Sequence, residues 1–451
     1  MLHAITSAAS NWIIAASDAV CNYPEFLLLI GGGLFLFFYS GAVSLRRLPT
    51  ALRALGSKQA AQEGKPTGQI SSLQALLSAI AATVGMGNIA GVAIALTIGG
   101  PGVIFWMWVS ALVGMSTKFF EGALAVMYKG EDKDGEPQGG PMYMIEKGLG
   151  RKWRPMAVAF ACFGLVGTLC LMQVNQLVEA VTTVFTTPAG IENTVWLRMG
   201  MGIVIAVVVG AVILGGIRRI AQWATRIVPV MVALYFVLVA SVTVIYADRL
   251  PTVLASIFRE AFNWEAGFGA LAGIAVIGAR RAAFVNEAGI GTASMMHGAS
   301  RNTDPLREGY VAMLGPMIDS GIVCTLTAIP ILLAGNYVGV EDVKGLWVAM
   351  GSYETLLPGI GHYLLMAIVF FFAFSTMFSY SYYGQKCTNY LFGPGKVRYY
   401  NIYYIIMLVV GAMIPLATMV ALMDLAFFLM AVCTMTTLLL LSPRVKRLLK
   451  G

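Results

Sequence analysis

Residues 82–91 read ATVGMGNIAG, three glycines and an asparagine inside an apolar run. Glycine costs a helix about 1 kcal/mol relative to alanine, so Gly85 and Gly87, followed by Asn88, mark a weak point. Unwinding there frees backbone N–H and C=O groups. The N-terminus of the half-helix that follows carries partial positive charge and suits a carboxylate, while freed carbonyls suit a small hard cation. That is chemistry for holding a zwitterion and an ion with few charged side chains. Close helix packing through Gly87 and Gly91, small residues at spacing four, is the competing reading.

A second segment, 267–299, reads GFGALAGIAVIGARRAAFVNEAGIGTASMMHGA and carries Arg280, Arg281, Asn286 and Glu287 beside Gly289 and Gly291. Ionisable groups at membrane depth are expensive and face a cavity or a partner. Either Arg281 and Glu287 compensate one another, or the arginines lie in a loop and only part of the segment spans. In AFSTMFSYSYYGQ, Ser375, Thr376 and Ser379 sit amid Phe and Met, with Ser375 and Ser379 on one helix face. Their hydroxyls either complete a sodium shell begun by carbonyls near Val84 and Gly85 or bond back to their own helix. Gln173 and Asn175 interrupt CLMQVNQLVEA as substrate ligands or as interhelical bridges. Asp319 is an intramembrane carboxylate and a functional candidate by default, with pairing to an arginine as the alternative. Asp424 reads as interfacial. The DKDG within GEDKDGEPQGGPM reads as a turn rather than a calcium loop.

The elements that must position these groups are membrane helices. The chain has 451 residues, 58% hydrophobic and 12% charged, with a mean hydropathy of +0.78, and reads as one all-α polytopic unit in the lipid bilayer. About eleven spans fall near 24–45, 70–99, 102–128, 155–185, 197–214, 226–247, 267–299, 307–335, 361–391, 399–419 and 423–443. The interrupted spans are the second and, five helices later, its counterpart. Two halves, 70–247 and 267–443, each hold five helices, and five is odd, so they insert with opposite orientation as inverted repeats. Residues 1–69 supply an extra helix and a loop, and 444–451 a basic tail.

Lys and Arg concentrate in alternate loops: Arg46, Arg47, Arg53, Lys58 and Lys65 in the first, Arg218 and Arg219 in the fifth, Arg444, Lys446, Arg447 and Lys450 at the C-terminus. This places the C-terminus in the cytoplasm and the N-terminus outside the cell, or inner, membrane. No basic segment precedes the first apolar stretch, so a cleaved signal peptide is not expected. The net charge of +8 forms no basic stripe with aromatics, which argues against a nucleic-acid partner. No Walker A motif, zinc pattern or nucleophile–base pair occurs, which argues against an enzyme. The oligomeric state is left open.

GMGNIAGVAIALTIGGPGVIFWMWVSALVGMSTKFFE, with QVNQ, RAAFVNEAGIGTAS and AFSTMFSYSYYGQKCTNYLFG, resembles the alanine or glycine:cation symporter family across nearly all of the chain after the first helix. The resemblance implies a LeuT-type fold, ten core helices in two inverted five-helix repeats plus one N-terminal helix. It implies import of a small neutral amino acid, alanine, glycine or D-alanine, with a sodium ion. On it, Thr83, Gly85, Met86, Gly87, Asn88, Gln173, Asn175, Asn286 and Tyr380 become substrate candidates. Val84, Gly85, Ser375, Thr376 and Ser379 become sodium candidates, and Arg281, Glu287 and Asp319 remain as further intramembrane charges. Met86, Tyr380 and Gln385 stand where the family commonly has Thr or Ser, Trp, and Glu, which bears on the choice of substrate. Rival readings are a proton-coupled carrier of another small amino acid and an amino-acid-binding channel or sensor.

Overall fold

The structure, a computed structural model, describes residues 2–21, 23–56, 68–262, 268–339 and 345–450. Lys58 and Lys65, used above for orientation, lie outside the described residues.

Apolar helices dominate. Among the described residues eight are long and apolar enough to cross a membrane, or nine if the bent pair Ser72–Thr83 and Gly87–Gly99 is one span. The sequence predicts about eleven, and the difference has a physical reason. The second broken segment is divided into Phe268–Asn286 and Thr292–Gly298 and carries two arginines. Val397–Met413 is only 17 residues long. Gly102–Met127 and Gly361–Phe392 form the centre of the bundle, each 72% buried over its most apolar stretch, whereas Gly216–Ile245 is 33% buried. The last exposes Phe236 and Val244, residues suited to lipid.

The first broken helix starts from a reciprocal cap: Ser71 Oγ accepts the Gln74 N–H at 3.2 Å and Gln74 Oε1 accepts the Ser71 N–H at 2.9 Å. It runs over Ser72–Thr83 and stops where Val84 turns extended, at ψ 93. Helix resumes as a wide turn over Gly87–Gly91 and continues over Val92–Gly99, bent by 56° from the first piece. The second break follows Asn286. Gly289 and Gly291 adopt φ of 93 and 96, left-handed values that glycine tolerates, and Glu287 adopts φ 53 despite its side chain. Arg280 and Arg281 lie within the Phe268–Asn286 helix, not in a loop.

The DKDG stretch is a turn. Gly130–Glu131 pairs antiparallel with Pro137–Gln138, and Asp132 Oδ1 accepts the Asp134 and Glu136 N–H groups at 3.0 and 2.9 Å. Burial alone would raise the Asp132 carboxyl; bonds from Asn389, from the Glu136 and Asp134 amides and from Gln138 outweigh it and hold it below its ordinary range. Lys386 donates to Gln138 Oε1 at 2.5 Å, tying this hairpin to the long Gly361–Phe392 helix.

Candidate functional site between two broken helices

The two breaks meet across a small central cavity of about 30 Å³, walled by Thr83, Gly85, Gly87, Gln173, Glu287 and Tyr380 among others. The Gly85 N–H donates to Asn88 Oδ1 at 3.0 Å, and Asn88 Nδ2 donates to Asp319. Asn88 therefore braces the break from behind instead of reaching into the cavity. The Gly87 carbonyl accepts from Arg281 Nη2 at 3.5 Å. Gln173 Oε1 is buried and, among the described residues, has no hydrogen-bond partner. Glu287, 3% exposed, accepts from Thr292 Oγ1 at 2.5 Å and from the Tyr380 hydroxyl.

Beside the cavity, Thr376 Oγ1 donates to Phe372 O at 3.0 Å and reaches Val84 O at 3.4 Å. A Cβ at Gly85 would come within 2.6 Å of that oxygen, so only glycine allows the approach. Ser379 Oγ, one turn further on, is buried and, among the described residues, has no hydrogen-bond partner. Val84, Gly85 and Thr376 thus come together, as a shell of carbonyl and hydroxyl oxygens for a small cation requires. Ser375 does not join them; it bonds back to Phe372 O at 3.1 Å and faces Met231 Sδ at 3.7 Å, the usual fate of a buried helical serine.

Other sequence candidates lie elsewhere. Asn175 Nδ2 donates to Gly411 O and Ile414 O at 3.2 and 2.9 Å, bridging two helices. Asn286 donates to Ser320 Oγ at 3.1 Å and accepts the Ala288 N–H at 3.0 Å, locking the second break from outside the central cavity. Met86 is fully buried in the core. Arg281 and Glu287 do not compensate one another, since each is bonded elsewhere. Asp319 is paired with Asn88 and not with an arginine.

Some functional positions escape sequence reasoning. Asp424, expected at an interface, lines with Met172, Phe284 and Val420 both the central cavity and a wider one of about 630 Å³. That vestibule extends toward Ile98, Ile414 and the Arg198–Glu179 ion pair, which closes at 2.8 Å. The opposite end is sealed. Glu308, fully buried, accepts from Ser72 at 2.7 Å and Asn302 at 3.1 Å and contacts His297 Nδ1 at 2.7 Å. The Arg301 N–H donates to Ile70 O at 2.7 Å, and Lys129 Nζ donates to Ser300 O and Asn302 O at 2.6 and 2.8 Å. Glu308 sits in PLREGY, at the polar start of a span, and its burial has no sequence signal beyond the neighbouring apolar run.

Long apolar helices, broken in two places around a central cavity, fit a multi-pass membrane transporter. The chain belongs to the sodium:alanine symporter family, which matches residues 6–451. It is 39% identical over 424 residues to the sodium/alanine symporter AgcS of Methanococcus maripaludis, covering 92% of this chain and 91% of that one. An uncharacterized transporter of Haemophilus influenzae is 37% identical over 93% of this chain and 91% of its own. The putative sodium/proton-dependent alanine carrier protein YrbD of Bacillus subtilis is 34% identical over 85% of this chain and 79% of its own.

Proposed function

We propose that the protein imports a small neutral amino acid, alanine or glycine with D-alanine in its range, together with sodium, by alternating access. The observation that carries this reading is the meeting of Val84 O, Gly85 and Thr376 Oγ1 beside a central cavity of about 30 Å³. A single water needs about 10–15 Å³ on the same measure, so the cavity as it stands admits about two waters and must widen to take even the smallest amino acid. The substrate carboxylate meets the positive N-terminal end of the half-helix that resumes at Gly87, and sodium sits on the Val84 side of the break. The family relation supports the coupling, and the sodium/alanine symporter from Methanococcus maripaludis supports the substrate class.

In this reading the halves 70–247 and 267–443 are inverted five-helix repeats of LeuT type, with the N-terminus outside and the C-terminus in the cytoplasm. The vestibule then faces outward and the Ser72–Glu308 seal inward. Each sodium charge carried inward gains about 2.3 kcal/mol per 100 mV of membrane potential. Release to the cytoplasm requires the seal to part while the vestibule closes.

One observation favours a second reading, proton coupling: Asp319 is a fully buried carboxyl beside the break, bonded to Asn88 and, among the described residues, in no ion pair. The name of the Bacillus subtilis relative, sodium/proton-dependent, points the same way. Alanine uptake in sodium-free buffer at acid pH decides. Absence of uptake supports sodium; full uptake supports the proton.

A further inference from the structure

We propose that Glu287 receives the ammonium group of the substrate, with Tyr380 and Thr292 as the residues that position it. The inference rests on the reading of the central cavity as an amino-acid site.

Glu287 is the carboxylate in the second break, and it faces the first break across the cavity. Its backbone stands at φ 53, a conformation side chains other than those of Gly, Asn and Asp rarely take, so the turn aims this side chain at some cost. Thr292 holds one carboxylate oxygen at 2.5 Å and the Tyr380 hydroxyl holds the other. A carboxylate offers about four lone-pair sites; two hydroxyls leave the rest for a further donor.

The buried Lys118 ammonium acts on Glu287 only from beyond ion-pair distance. Among the described residues Glu287 forms no ion pair. Lys118 stands 3.8 Å from Glu121, and Arg281 is turned to the Gly87 carbonyl at 3.5 Å. Glu121 accepts the Gly289 N–H at 2.5 Å, which keeps it behind the break. A buried carboxylate held by hydroxyls but lacking a charge partner is costly, and a substrate ammonium removes that cost. Gln173 Oε1, buried and unpartnered on the same cavity wall, supplies a neutral acceptor beside it.

The two breaks then recognise opposite poles of one molecule. The first offers helix N–H groups to the carboxylate, and the second offers Glu287 to the ammonium. The substrate class is accordingly the α-amino acids with a free amine, and a carboxylate of the same size without the amine is rejected.

The test compares L-alanine with propionate as competitors of labelled-alanine binding to the purified full-length protein. Wild type is expected to prefer alanine strongly. In Glu287→Gln the alanine-to-propionate preference falls by roughly thirtyfold or more, as loss of a buried charge partner does. A merely structural role weakens both ligands alike and leaves the ratio within about threefold of wild type, which overturns the proposal. Glu287→Asp keeps the charge at a shorter reach and gives the same decision if the Gln variant is not recovered folded: a fall of about tenfold supports the proposal and an unchanged ratio overturns it. Failure of wild type to bind alanine or glycine at all refutes the amino-acid site itself, a separate outcome.

Discussion

Asn88 and Asp319, 231 residues apart, are bonded side chain to side chain behind the point where the first helix breaks. The same amide accepts the Gly85 N–H through its oxygen at 3.0 Å. One side chain therefore fixes the unwound strand to the wide helical turn Met317–Val323. Asn88→Ala removes both bonds and leaves a buried carboxylate unsatisfied, at a cost of about 1–3 kcal/mol. Alanine uptake in proteoliposomes is expected to drop about tenfold or more, with expression in the membrane unchanged. Unaltered uptake would take Asn88 out of the account.

Ser375 and Thr376 are neighbours with different partners. Thr376 reaches Val84 O at 3.4 Å, and Ser375 faces Met231. Thr376→Ala is expected to raise the half-saturating sodium concentration by about tenfold, a loss of about one ligand worth 1.4 kcal/mol. Ser375→Ala should leave it within about twofold. Sodium titration of initial uptake rates measures both, and equal effects would place the ion elsewhere.

Gly85 admits no side chain, because a Cβ would stand 2.6 Å from Thr376 Oγ1. Gly85→Ala pushes Thr376 and the broken strand apart. It is expected to abolish sodium-dependent uptake while shifting the melting temperature by only a few degrees, about 2–4 °C per kcal/mol. Retained sodium dependence in this variant would show that the close approach has no role in coupling.

The seal around Glu308 makes a conformational prediction. Ser72, His297 and Asn302 all converge on that carboxylate. Glu308→Ala is expected to favour the state open at the Ser72 end. With Thr83→Cys as reporter, labelling by a reagent supplied from that end should accelerate by about tenfold, a shift of about 1.4 kcal/mol between the two states. An unchanged labelling rate would mean that the latch lies elsewhere in the bundle.

The broken helices were legible because glycine and asparagine are poor helix formers, and apolar runs leave little else for them to do. Both breaks fall inside the predicted segments, at Val84 and at Glu287. The number of spans was less legible. Val397–Met413 is short, and the arginines of Phe268–Asn286 are tolerated by contacts that sequence does not display, such as Arg281 on the Gly87 carbonyl and over the Phe284 ring at 5.7 Å.

Side-chain direction was the hardest quantity to read. Thr376 and Ser375 are chemically alike and adjacent, yet only one turns to the break. Asn175 and Gln173 are two apart, and helix geometry sends the first to a neighbouring helix and the second to the cavity. Glu308 draws one partner, Ser72, from 236 residues away, and Asp424 joins cavity walls from several segments, tertiary outcomes with no local pattern.

The central claim is that sodium and a small amino acid share the break at Val84–Gly87 and cross together. The most direct measurement is labelled-alanine uptake into proteoliposomes with and without an inward sodium gradient, competed by glycine, serine and D-alanine. Accumulation above equilibrium is expected only with the gradient, suppressed most by the smallest competitors. Equal accumulation without sodium, or no accumulation under any gradient, would contradict it.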